Sequence, residues 1–181
     1  VTESFGYLLN NTFDKYDYIG NPHLKKESAI ELNGMVEWNN HNVDLKVESN
    51  VFFLQNYIIG KPDGRLSAMT IGAAGVKVYQ NLNNARIVNV TFQGNWYILS
   101  WLRLENRLTY SHGVESTNSY LPLIAPLMDR GALKAIFDHW EIEMGMECAG
   151  KHSKYSKKYG ETETSGYEVF HFSAGHHLNF K

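Results

Sequence analysis

From Val43 the chain alternates. Val43, Leu45, Val47, Val51 and Phe53 take odd positions with Ser49 among them, while Asp44, Lys46, Glu48 and Asn50 take even ones until Phe52 interrupts. From Leu102 the even positions read Leu102, Leu104, Asn106, Leu108 and Tyr110, against Arg103, Glu105, Arg107, Thr109 and Ser111. From Trp140 they read Trp140, Ile142, Met144, Met146 and Cys148, against Glu141, Glu143, Gly145 and Glu147. Successive side chains on a strand point to opposite faces, so each stretch has one greasy and one wet face. No stretch sustains a helical period. The pattern predicts an all-β chain with strands over about 28–38, 43–58, 76–93, 97–111, 128–137, 140–149 and 165–176. The end of an eighth is expected near Glu3–Leu9.

The connections alternate as well. Asn39–Asn42, Gly94–Trp96 and Asp138–His139 are short, whereas Asn10–Glu27, Ile59–Gly75, His112–Leu127 and Gly150–Thr164 are long and carry the turn chemistry, such as Asn21-Pro22 and Pro62-Asp63-Gly64. In an up-and-down antiparallel meander, alternate connections fall at opposite ends, so all short turns share one rim and all long loops the other. Trp38, Trp96, Trp101 and Trp140 then gather at the short-turn rim. Membrane β-barrels have both asymmetries: short turns against long loops, and aromatic girdles at the interfaces. The plainer alternative is that these indoles cover a soluble core.

Composition narrows the classes. Seventeen Lys and Arg against nineteen Asp and Glu leave a net charge of −2, no footprint for nucleic acid. A chain that is 43% hydrophobic and 13% aromatic is not disordered. The single Cys148 excludes a disulfide framework. Mean hydropathy is −0.36, and no apolar run suits a transmembrane helix. That is compatible with a membrane barrel, whose strands are half polar. The chain begins and ends within patterned sequence, as expected of a piece of something longer.

Two regions carry a family resemblance. Gly20-Asn21-Pro22-His23-Leu24-Lys25-Lys26-Glu27, followed by Glu31-Leu32-Asn33-Gly34, is similar to the G-N-P-x-L-K-P-E … E-x-G segment of TonB-dependent outer-membrane receptors. Tyr79-Gln80-Asn81 with Ala85-Arg86-Ile87-Val88-Asn89-Val90 resembles their Y-x-N … A-x-I-x-G-V-E strand. Pro122-Leu123-Ile124-Ala125-Pro126 and Thr164-Ser165-Gly166-Tyr167 add weaker matches in the same order, while Lys26 and Asn89 depart from the pattern. The resemblance implies a ligand-gated receptor in the outer membrane of a Gram-negative bacterium, with a plug inside a barrel of about 22 strands. Residues 1–181 would form a partial wall of that one barrel domain, late in the chain and without the plug. Its partners would be outer-membrane lipid, a scarce small-molecule ligand such as a siderophore, metal complex or glycan, and the TonB complex, met through the plug region. Cut from its barrel, such a piece would associate through its open strand edges.

The charges on the wet face are the site candidates. Arg103, Glu105 and Arg107 would face the lumen, as a wall that satisfies itself or as ligand contacts. Phe13, Tyr16 and Tyr18, in the long N-terminal loop, could meet a ligand from outside or simply pack the loop. No metal site or other cofactor is expected. His176 and His177 point apart, His171 is about 20 Å along the strand from His177, and Met144, Met146 and Cys148 occupy the greasy face. No catalytic set is expected either: Ser111 and His112 lie on opposite faces, and no nucleophile or phosphate-loop motif occurs. A passive or structural outer-membrane barrel, or a soluble β-rich ligand-binding module, is the alternative to an uptake receptor.

Overall fold

In the computed structural model, residues 2–6, 9–11 and 14–177 are described. Phe13 and the C-terminal Lys181 lie outside them. A single turn of helix, α1 (Thr2–Phe5), precedes nine strands: β1 (Leu9–Asn11), β2 (Tyr16–Ile19), β3 (Ser28–Asn39), β4 (Val43–Pro62), β5 (Gly75–Leu99), β6 (Leu102–Glu115), β7 (Met128–Phe137), β8 (Trp140–Ala149) and β9 (Tyr167–His176). A short 3-10 turn, Lys157–Tyr159, lies in the last long loop. β3 to β9 form a seven-strand meander in which each strand pairs antiparallel with the next. Among the described residues, β3 pairs only with β4 and β9 only with β8, so the sheet is open at both edges.

The register puts the two faces in plain terms. One cross-strand row reads Val43, Trp96, Leu104, Leu133, Met144 and Phe172. The adjacent row on the other face reads Asp44, Asn95, Glu105, Ala132, Gly145 and His171. Directly paired residues share a face. Val43, Leu45, Val47, Leu102, Leu104 and Leu108 therefore lie on one side, and Asp44, Glu48, Arg103, Glu105 and Arg107 on the other, as the alternation predicts. The apolar side has no cover: Val36 is 71% exposed, Phe170 71% and Met144 61%.

The short connections 40–42, 100–101 and 138–139 share one rim, and 63–74, 116–127 and 150–166 the other. The turn expected at Gly94–Trp96 lies instead at Ser100–Trp101, and β5 runs unbroken through Gly94. Gly94 is a packing position. A Cβ there would come within 2.5 Å of the Trp96 ring, which folds back over it. Of the strand end expected near Glu3–Leu9, the part up to Phe5 is helical in α1, and Leu9 opens β1. The carbonyls of Glu3 and Gly6 accept bonds from Asn21 and Gly20 at 2.8 and 2.6 Å, so tertiary tethers take the place of a ladder. Two strands inside the long N-terminal loop were not anticipated. β2 runs parallel to the start of β5, and β1 pairs back on β2.

A tilted strand of about 9–11 residues crosses a bilayer. β4 has 20 residues and β5 has 25, so this hairpin stands well clear of any such layer on the long-loop side. The main buried cluster is there: Leu54, Ile59, Leu82, Ala85, Leu121 and Tyr159, with Phe52, Ile87 and Ile124 against it. Asn56, at φ 53°, lets the inward positions switch parity, so that Leu54 and Ile59 both reach the cluster. Loop 116–127 approaches closely because Gly113 lacks a side chain; a Cβ there would meet Ile124 Cδ1 at 2.7 Å.

Two open edges and an uncovered apolar face make one outcome plain. The isolated chain in detergent-free buffer is expected to self-associate, by edge pairing or strand exchange. Static light scattering that gave a monodisperse monomer would contradict it.

Candidate functional site

The wet face carries a band of charge. Glu105 is approached by Arg103 Nε at 2.8 Å and by Lys134 Nζ at 3.0 Å. The Arg103 Nε–H is not aimed for a hydrogen bond, so that contact is an ion pair only. Lys134 also reaches Glu143 at 3.1 Å, and Glu143 meets His171 Nε2 at 2.9 Å. Beside this chain, Arg130 pairs with Glu147, which also accepts from the Tyr167 hydroxyl at 3.2 Å. The His171 ring lies over Gly145, where any Cβ would collide with it. Glu105, Lys134, Glu143, His171, Arg130 and Glu147 line a groove of about 480 Å³ together with Gln93 and Asn95.

Arg103, Glu105 and Arg107 all lie on the wet face, but they differ in their partners. Arg103 and Glu105 form an ion pair, with Lys134 as a third member drawn from the next strand. Arg107 does not join. It is exposed into the groove, directly opposite Arg130, and among the described residues nothing pairs with it. Lys134, Glu143, Glu147 and His171 were missed as members. They lie on the wet face by alternation, but their convergence needs the register.

Tyr16 and Tyr18 sit on β2 against the start of β5. Between them is Lys77, 5% exposed, with its ammonium 4.4 Å from the Tyr16 ring centroid and 2.7 Å from Asp14 Oδ2. The Tyr18 hydroxyl donates to the same Asp14 oxygen at 2.5 Å, and its ring lies 5.2 Å from that of Tyr79. Asp17 is fully buried and accepts from the Met69 and Thr70 amides at 2.9 and 3.0 Å, binding loop 63–74 to β2. Tyr18, Tyr57 and Tyr79 line a cleft of about 910 Å³ at the long-loop rim, with Asp14, Lys77 and Glu161. Tyr18 thus packs the loop and also borders the open cleft. Nothing in sequence brings Lys77 to Asp14; a lone lysine between Val76 and Val78 reads only as strand.

Glu115 is the last residue of β6, paired with Ala85 of β5 and well beyond the end of the β6–β7 ladder at Thr109–Met128. Burial pushes its carboxyl up, but hydrogen bonds from Lys158, Thr117 and Tyr159 outweigh it and hold the group below its ordinary value. Lys158 approaches at 2.6 Å and the Tyr159 hydroxyl at 3.1 Å. Lys158 is raised by the same contact. Connection 150–166 is thus partly buried, at Ser156 and Tyr159.

Among the described residues, no group of three or more His, Cys, Asp or Glu is placed to hold a metal ion. The wet groove offers charged donors and acceptors, which suits contact with a polar solute.

No protein-family profile and no curated protein matches the chain. Solved structures do. The copper transporter OprC superposes with a TM-score of 0.74 at 17% identity, over 86% of this chain and 24% of that one. A G324V mutant of the ferric enterobactin receptor PfeA from Pseudomonas aeruginosa gives 0.66 at 16% identity, over 91% and 25%. The siderophore receptor PirA from the same organism gives 0.64 at 12% identity, over 98% and 29%. The chain thus spans about a quarter of the length of the proteins it matches. Its fold is that of a barrel part of TonB-dependent receptors: all-β, an antiparallel meander cut from a larger cylinder.

Proposed function

We propose that residues 1–181 are one stretch of barrel wall, with its outer loops, of a TonB-dependent receptor in a Gram-negative outer membrane. The intact receptor takes up a scarce ligand of the siderophore, metal-complex or glycan kind, and energy reaches it through a plug region elsewhere in that protein. The chain itself is not an enzyme. One observation carries the reading: a two-faced sheet, apolar on one side and charged on the other, open at both edges and with every long loop at the rim opposite the tryptophans. A sheet of this kind is stable when its edges continue into further strands, lipid covers the apolar face and water fills the other side. That the solved structures it superposes on carry titles naming a copper transporter and siderophore receptors supports the same reading.

Arg107 is the residue of this wall we assign to the passing ligand, because Arg103 and Glu105 are already paired. Tyr18 is the loop residue we assign to it, at the mouth of the outer cleft.

Orientation tests the proposal. In the intact protein, with Cys148→Ser to remove the native thiol, Ser67→Cys and Ser153→Cys are expected to react with an impermeant maleimide on whole cells. Asn40→Cys should react only after the outer membrane is opened. All three positions are exposed, so burial does not decide the result. Labelling of Asn40→Cys alone on whole cells, or equal labelling of a protein found in the soluble fraction, would overturn the reading.

A further inference from the structure

Beyond Thr109–Met128, the last pair joining β6 to β7, Tyr110 and His112 continue on the apolar side of the sheet. Their rings lie nearly parallel, 10° apart in plane and 6.4 Å between centroids, and Tyr120 meets His112 edge-on at 5.9 Å. Lys154, from connection 150–166, comes down over Tyr110. Its ammonium is 5.4 Å from the ring centroid and donates to the phenol oxygen at 3.2 Å. Ile124, Pro126 and Leu127 complete a recess of about 170 Å³.

The cation there is uncommitted. Lys154 has no carboxylate partner among the described residues, and an ammonium has three N–H donors, of which the phenol takes one. Lys151 beside it is spent on Glu163 at 2.5 Å. Asp129, on the same face of β7, is taken by the Asn106 amide at 2.7 Å. On a water-exposed face a free lysine needs no explanation. This one stands at the upper border of an apolar face, at the rim opposite the tryptophans, beside an apolar recess. A group that suits it has a negative head and a greasy body.

We propose that this recess holds a phosphate of an outer-leaflet lipid headgroup, with Lys154 as the point charge, Tyr110 and His112 as its aromatic bed, and Leu127 against the first methylenes of the acyl chains. The inference rests on the membrane-barrel reading above. A basic side chain beside a lipid phosphate contributes about 1 kcal/mol, which is about fivefold in retention.

The test uses the full-length receptor purified in detergent, with lipid A bearing both phosphates as probe and native mass spectrometry as readout. Lys154→Ala and Lys154→Gln are each expected to retain lipid A about fivefold less, Lys154→Arg as well as the unchanged protein, and phosphate-free lipid A should be retained equally poorly by all. Inorganic phosphate should leave the lipid in place. Equal retention by Lys154→Ala, Lys154→Gln and the unchanged protein would overturn the proposal. Release of lipid by inorganic phosphate would do the same, by making the recess a free-phosphate site. Recovery from the outer membrane as a heat-modifiable barrel separates the two levels: a receptor that passes that check with Lys154-independent retention sinks this inference alone, and one that fails it sinks the membrane reading too.

Discussion

Leu104→Arg is expected to weaken the membrane-embedded protein by about 2–4 kcal/mol, the cost of an arginine on a lipid-facing position near mid-bilayer. Leu104 belongs to the row Val43–Trp96–Leu104–Leu133–Met144–Phe172, which has no polar member. The charge would have neither a partner nor water. Glu105→Gln, one residue away, changes a group on the wet face that is 30% exposed and shared between two cations. There the cost should stay within about 1 kcal/mol, the range for solvated ion pairs. Urea titration of the intact protein folded into liposomes, followed by heat-modifiable migration, reads both. Similar costs at the two positions would mean that the sheet does not separate lipid from water. A soluble protein with a buried core beneath Leu104 would be hit by Leu104→Ala as well, whereas against lipid that change should be mild.

The second large effect is expected at Tyr159, which is fully buried beneath the outer loops. Tyr159→Ala removes the ring that closes the Leu54–Leu82–Leu121 cluster and the hydroxyl that donates to Glu115, at a cost of about 3–5 kcal/mol. The loss should be local. The ladders from β6 to β9 do not depend on this ring, so barrel migration should persist while amides of 116–127 and 150–166 lose exchange protection. The same latch has a pH window. Glu115 is held below its ordinary value, so its contribution is present above about pH 5 and lost as pH falls through the lowered value. Lys158 is raised, so its contribution is full below its ordinary value and lost as pH rises through the raised one. Tyr159 is raised first by burial, then by Glu115, and its neutral form is likewise lost in strong base. Loop protection should therefore plateau from about pH 5 to 10 and fall on both sides. Protection that rose in acid, or a Tyr159→Ala protein whose loops exchanged as slowly as before, would refute the latch.

The alternation of apolar and polar residues was enough to determine the meander, its two faces and the segregation of short turns from long loops. Each follows from a local rule: a strand's period is two, and a hairpin reverses direction. Arg103, Glu105 and Arg107 were placed on the wet face for the same reason. What alternation could not determine is which of them is free. That depends on Lys134 arriving from β7 at Glu105, and on Arg130, opposite Arg107, already being held by Glu147. Cross-strand partners are set by register, and register by the turns. Gly94 shows how a turn misleads: glycine marks a bend or a close approach, and only the Trp96 ring lying over it decides for the second. The outer loops were the least legible. Their order comes from contacts across more than 50 residues, Asp17 with Met69 and Asp14 with Lys77, and no local pattern records a partner that far away. The barrel wall was therefore written in the sequence, because strand physics is local; the cleft and latch above it were decided by tertiary structure, because long-range hydrogen bonds and buried rings hold them.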